Sequence, residues 1–106
     1  MTPVLSPQDA LDYLAQLSTD VRCGAVLDGS GELLAGAESC AAPARDLLAA
    51  SDAAEIEVTT RDGVVFAARS ATHAVVVVCG TFALSGLQRH DLRTVLGDLA
   101  SGEAAA

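Results

Sequence analysis

Residues 21–36, Val-Arg-Cys-Gly-Ala-Val-Leu-Asp-Gly-Ser-Gly-Glu-Leu-Leu-Ala-Gly, decide the fold. They read as two short apolar strands closed by a tight turn at Asp28, Gly29, Ser30 and Gly31. Glycine takes positive φ without a steric penalty, and an Asp side chain caps such turns by accepting backbone N–H groups. A helix reads out before this hairpin. Ser6 stands at its N-cap, Pro7 at its first position and Asp9 at its third, and Ala10, Leu11, Leu14 and Leu17 recur at helical spacing to about Ser18.

After the hairpin, Glu38 to Ala42 reads as an Ala-rich lead-in and Pro43 as the first turn of a second helix. Its stripe of Ala44, Leu47, Leu48 and Ala50 ends near Ser51-Asp52, a helix of three turns or fewer that packing must hold. Glu55 to Thr60 alternates polar with apolar residues, the pattern of a half-buried strand. Arg61-Asp62-Gly63 turns the chain, Val64 to Arg69 returns, and Ser70 to His73 turns again. Ala74 to Cys79 is apolar on both faces and belongs in the middle of a sheet. Gly80 to Leu84 leads to a last helix with Ser85 and Gln88 in the capping-box relation and a stripe of Leu87, Leu92, Val95, Leu96 and Leu99. Ser101-Gly102-Glu103 ends it, so residues 1–106 read as one domain with a core over about 7–100 and a frayed tail over 101–106.

Composition removes several function classes. The chain has no Lys, and six Arg face fourteen acidic residues for a net charge of −8. Nucleic-acid binding rests on neutralising phosphates, so no nucleic-acid partner is expected, and anionic membrane surfaces are disfavoured as well. Only three residues are aromatic, so the core must be Ala, Val and Leu, and stacking platforms are scarce. Met1 to Leu5 lacks the basic start of a signal peptide. The longest apolar run, Ala74 to Cys79, falls far short of the ~20 residues that cross a bilayer. The expectation is a cytoplasmic protein without membrane insertion. Three cysteines without paired spacing agree with a reducing compartment, and Arg and Ala usage without Lys suits a high-GC bacterial genome.

Motifs for catalysis are weak. Gly29 and Gly31 lack the third glycine and the following helix of a dinucleotide loop. His90-Asp91, between Arg89 and Arg93, has no nucleophile or orienting group nearby in sequence and reads as a solvated polar face. Cys23, Cys40 and Cys79 with His73 and His90 lack the spacing of a metal site. Cys23 and Cys79 read as small hydrophobes on apolar strands. Cys40, near a helix start, is the candidate for a lowered pKa, but no resolving Cys or basic neighbour is evident.

The informative contrast is between strands. Glu55 to Thr60, polar on one face, belongs at a sheet edge, where Glu55 and Glu57 either protect the open backbone or the edge pairs with a second copy. Pairing into a homodimer, with the second helix beside it, is the preferred reading.

These features together resemble the roadblock/dynein light-chain family in its small bacterial branch, over about Ala10 to Leu99. Val21 to Asp28 looks like the family's first strand with its glycine, and Gly31 to Ala35 like the second. Gly63 to Arg69, the valine strand, and Leu84 to Leu96 with Asp91-Leu92-Arg93 resemble its later half. The resemblance implies an α+β fold: a five-stranded antiparallel sheet, order 2-1-5-4-3, with helices on both faces. It implies a homodimer joined through third strands and second helices. It also implies a non-enzymatic scaffold or regulator of a Ras-like small GTPase, in some cases within a kinase-linked complex, with no cofactor. The second helix reads shorter than the family's. On this basis Leu47, Leu48, Ile56 and Val58 are expected at the dimer seam, with Arg45, Glu55 and Glu57 at its rim. Two copies of Glu57 facing each other across a two-fold axis would repel, and Arg45 or Arg61 would have to neutralise them. A profilin-like sensory domain is the alternative; it needs a cavity between sheet and helix with convergent polar groups, and the sequence offers few inward polar residues. An enzyme using Cys40 as nucleophile ranks below both, since no base is assembled around it.

Overall fold

The computed structural model describes residues 6–17, 21–61, 63–80 and 85–105. The readings that fall on Met1 to Leu5, Ser18, Asp62, the 81–84 connection and Ala106 lie outside those residues. The elements are α1 (Pro7–Leu17), β1 (Val21–Asp28), β2 (Leu33–Gly36), α2 (Glu38–Ala50), β3 (Glu55–Thr60), β4 (Gly63–Arg69), β5 (His73–Cys79) and α3 (Ser85–Ala105). The strands form one sheet in the order β2-β1-β5-β4-β3, antiparallel at every step. Fold class and strand order are those expected.

Local chemistry accounts for the well-read elements. The Ser6 hydroxyl accepts a hydrogen bond from the Asp9 N–H at 3.1 Å, which caps α1. At the hairpin, Asp28 Oδ1 accepts from the Ser30 N–H at 2.8 Å, the Glu32 N–H at 3.0 Å and the Ser30 hydroxyl at 2.6 Å. These bonds, the Ser30 hydroxyl first, hold the Asp28 carboxyl below the usual range. Gly31, at φ 89°, closes the turn by donating to the Asp28 carbonyl at 3.0 Å.

The sheet is buried on both faces at its centre. Val75, Val77 and Cys79 pack with Val26, Phe66, Ala10, Leu14, Leu92 and Val95 in the layer under α1 and α3. Ala74 and Val76 pack with Ala25, Leu27, Cys40, Ala41 and Ala44 in the layer under α2. Strand alternation therefore sends every second β5 side chain to a different helix layer.

Two helices differ from the sequence reading. Helix α2 begins at Glu38 and runs thirteen residues, so Pro43 sits inside it and the helix is not short. A proline there removes one backbone bond and costs about 3 kcal/mol in a helix interior. Burial of Cys40, Ala41 and Ala44, on the turns either side of Pro43, outweighs that cost. Helix α3 continues to Ala105, beyond Ser101-Gly102-Glu103, because a single Gly costs about 1 kcal/mol and the following residues favour helix. Its buried stripe is Gln88, Asp91, Leu92, Val95, Leu96 and Leu99, whereas Leu87 is 48% exposed. Leu87 precedes Leu92 by five positions, about 140° around the helix, which turns it off the stripe.

Gly36 fixes where α2 leaves the sheet. Its φ is 99°, and a Cβ there would lie 2.3 Å from the Gly24 carbonyl oxygen and 2.8 Å from Ala25 Cα. Gly36→Ala is expected to cost about 3 kcal/mol in urea unfolding, from backbone strain plus overpacking. Gly31→Ala, at φ 89° but with nothing within 4 Å of the new Cβ, should cost only about 1 kcal/mol. Equal losses would remove the close approach as the cause.

Candidate interaction surface

Helix α2 packs chiefly on β1, β5 and β2, so among the described residues the β3–β4 side of that sheet face is the less covered, with Ala67 buried and Ile56 and Val65 half-buried against the α2 cluster. Ile56 and Val58 lie opposite Ala67 and Val65 in the β3–β4 register, so they share the α2 face. Ile56, Val65, Val78 and Leu48 pack partly buried against the α2-side cluster, Val58 shares their face by register, and Leu47 is half-buried on α2. Strand β3 is the terminal strand and pairs with β4 alone among the described residues. The edge position expected from its polarity is the one it occupies.

Glu55 and Glu57 lie opposite Ala68 and Phe66, on the α3 face. Arg93 meets Glu55 in a bidentate pair, Nε to Oε2 at 2.7 Å and the guanidinium to Oε1 at 3.1 Å. Arg89 meets Glu57 at 3.2 Å. The Arg93 hydrogen bonds are the main cause holding the Glu55 carboxyl below its ordinary value. The neutralising cations therefore come from α3 of the same chain, from the two arginines flanking His90-Asp91; of that pair, expected to be solvated, His90 is exposed but Asp91 is buried on the core side of the helix. Residues four apart on a helix rise about 6 Å, and residues two apart on a strand about 6.6 Å, so the two ladders match. That spacing was the available signal.

Arg45 sits elsewhere. It donates from Nε to the Gly31 carbonyl at 2.6 Å and pairs with Glu38 at 2.5 and 3.2 Å, so it joins α2 to the hairpin and not to β3. Arg69, which the sequence reading passed over, donates to the carbonyls of Leu48 at 2.6 Å, Ala53 at 3.0 Å and Ser51. It caps the C-terminus of α2 and holds the segment leading into β3. Between them lies an open cleft of about 340 Å³, lined by Asp28, Ser30, Arg45, Leu48, Arg69 and His73 among others.

Cys40 is buried, and burial first, then a hydrogen bond with Cys23, pushes its thiol up to about 12. The lowered pKa expected for it is thus reversed: the apolar layer under α2 disfavours the thiolate more than the helix start favours it. Cys23 is exposed and does not pack as a hydrophobe, while Cys79 is buried as expected. Among the described residues no helix is long and apolar enough to cross a membrane.

No protein-family model matches the chain, and no curated protein does. Solved structures do. A Roadblock/LC7 domain from Streptomyces avermitilis matches at TM-score 0.74 and 14% identity, over 87% of this chain and 92% of that one. Myxococcus xanthus MglB matches at TM-score 0.76 and 14% identity, over 92% and 94%. Acanthamoeba castellanii profilin II matches at TM-score 0.61 and 11% identity, over 92% and 99%. The chain has a roadblock-like α+β fold.

The ion pairs carry a pH dependence. The folded-state values of Glu55, Glu38 and Asp28 are depressed, so their stabilisation is present above the ordinary carboxylate range and lost as pH falls through the lowered values. The urea midpoint should fall between about pH 5 and pH 3, and Arg93→Gln should flatten that fall by removing the Glu55 share. An unchanged slope in the variant would show that the pair contributes nothing to folding.

Proposed function

We propose that the chain is a non-enzymatic homodimeric interaction module that scaffolds or regulates a Ras-like small GTPase. The observation that carries the reading is that β3, among the described residues, pairs on one side only, beside the half-buried Leu48, Ile56 and Val65 with Val58 on the same face. A second copy pairing edge to edge would satisfy the outer backbone groups of β3 and cover those side chains in one step. The like-charge difficulty at the two-fold axis is eased because Glu55 and Glu57 already face Arg93 and Arg89 within the chain. In this reading Leu47, Leu48, Ile56 and Val58 form the seam, Glu55 and Glu57 its rim, and Arg45 acts at a distance by bracing α2. The GTPase role rests on the family resemblance together with the shared fold, and the module is read as one cytoplasmic domain.

Light scattering should give a dimer for the native chain and a monomer for Val58→Lys at the same concentration, since the lysine would bury a charge in the seam. A native chain that stays monomeric at every concentration would end the dimer reading. For the partner, immobilised native chain should retain a host GTP-binding protein identified by mass spectrometry and by its guanine nucleotide. Absence of any such protein under both GDP and GTP analogue would end the GTPase reading.

The cleft supports a second reading as a small-molecule sensor, because Arg45, Arg69, His73 and Asp28 converge on it between hairpin and helix. Small carboxylates or phosphate should then raise the melting temperature of the native chain and not that of Arg45→Met. No shift with any of them would set this reading aside.

A further inference from the structure

Cys23 and Cys40 lie seventeen positions apart in sequence, yet the fold places both on the α2 side of the sheet. Cys23 stands opposite Val78 in the β1–β5 register, and Val78 packs in the layer under α2, so the two share that face. Ala25 and Leu27, the next residues along the same face of β1, pack in one cluster with Cys40. The close approach of Gly36 to Gly24 starts α2 beside this end of β1, and Cys40 belongs to its first turn. After burial, the Cys23 side chain is the neighbour that raises the Cys40 thiol above its ordinary value. They differ in access, since Cys23 is exposed and Cys40 is 5% exposed. Cys79 lies in the opposite layer, fully buried.

We propose that Cys23 and Cys40 form a thiol-modification site, in which exposed Cys23 reacts with a low-molecular-weight disulfide and Cys40 resolves the adduct into an internal Cys23–Cys40 disulfide. In the first step the Cys23 thiolate attacks one sulfur of the small disulfide. That S–S bond breaks, a mixed disulfide forms on Cys23, and one small thiolate leaves. In the second step the Cys40 thiol gives up its proton and its sulfur attacks Cys23 Sγ, expelling the second small thiolate. The two protein thiols lose two electrons and two protons, and the small disulfide gains them as two thiols. Burial of Cys40 makes the second step the slower one, because the attacking species is its thiolate. The product staples the first turn of α2 to β1, at the end of the helix remote from Leu47 and Leu48.

The test is a time course of the reduced native chain with excess glutathione disulfide at neutral pH, acid-quenched and read by intact mass. The native chain should first gain one glutathione and then lose it to a form lacking two hydrogens, with fragmentation joining residues 23 and 40. Cys40→Ser should hold one glutathione on Cys23 without resolution, and Cys40→Ala should do the same should the buried hydroxyl disturb folding. Cys23→Ser should react at least about tenfold more slowly, since its remaining thiols are buried. A native chain that keeps glutathione on Cys23 to completion, links two copies through Cys23, or joins Cys79 would overturn the proposal.

Discussion

The central strand must be dry on both faces, and the rest of the molecule follows from that. Val75, Val76 and Val77 carry no polar side chain, so each face of β5 needs its own helix layer. On one side α1 and α3 divide the work; on the other α2 works alone. Five strands spaced about 4.8 Å apart make a sheet wider than one helix of about 10 Å can cover. Helix α2 lies chiefly over β2, β1 and β5, and among the described residues the half-covered remainder is Ile56, Val58 and Val65 of β3 and β4. The candidate surface is thus a geometric remainder of the core.

That remainder is kept in shape by arginines. Arg69 collects the last carbonyls of α2 and those of the following segment, which fixes the approach to the edge strand. Arg93 and Arg89 hold the opposite face of the same strand to α3 through Glu55 and Glu57. Partly exposed pairs of this kind contribute modestly each, but they orient a strand that, among the described residues, has a neighbour on one side only. With no Lys in the chain, these contacts fall to Arg, whose planar fork suits carboxylates and carbonyl clusters.

Much of this was legible in residue order. Ser6 and Pro7 mark the start of α1, and Asp28 with Gly31 marks the hairpin, because each acts through neighbours a few positions away. The period-two pattern of Glu55 to Thr60 and the unbroken apolar run of Ala74 to Cys79 place an edge and a centre. Less legible were features in which burial competes with local preference. Pro43 argues for a helix start and is overruled by the packing of Cys40, Ala41 and Ala44. Leu87 argues for the stripe by composition and is turned off it by angle.

Sequence alone thus determined the element order, the turn chemistry and the polarity of each strand, since these depend on contacts within a few residues. Tertiary structure alone decided which distant groups meet: Arg93 with Glu55, Arg69 with the end of α2, and Arg45 with the hairpin carbonyl of Gly31; it also set Cys23 and Cys40 on one side of the sheet. The physical reason is that such meetings depend on strand register and helix placement, which are properties of the closed core and of no single segment.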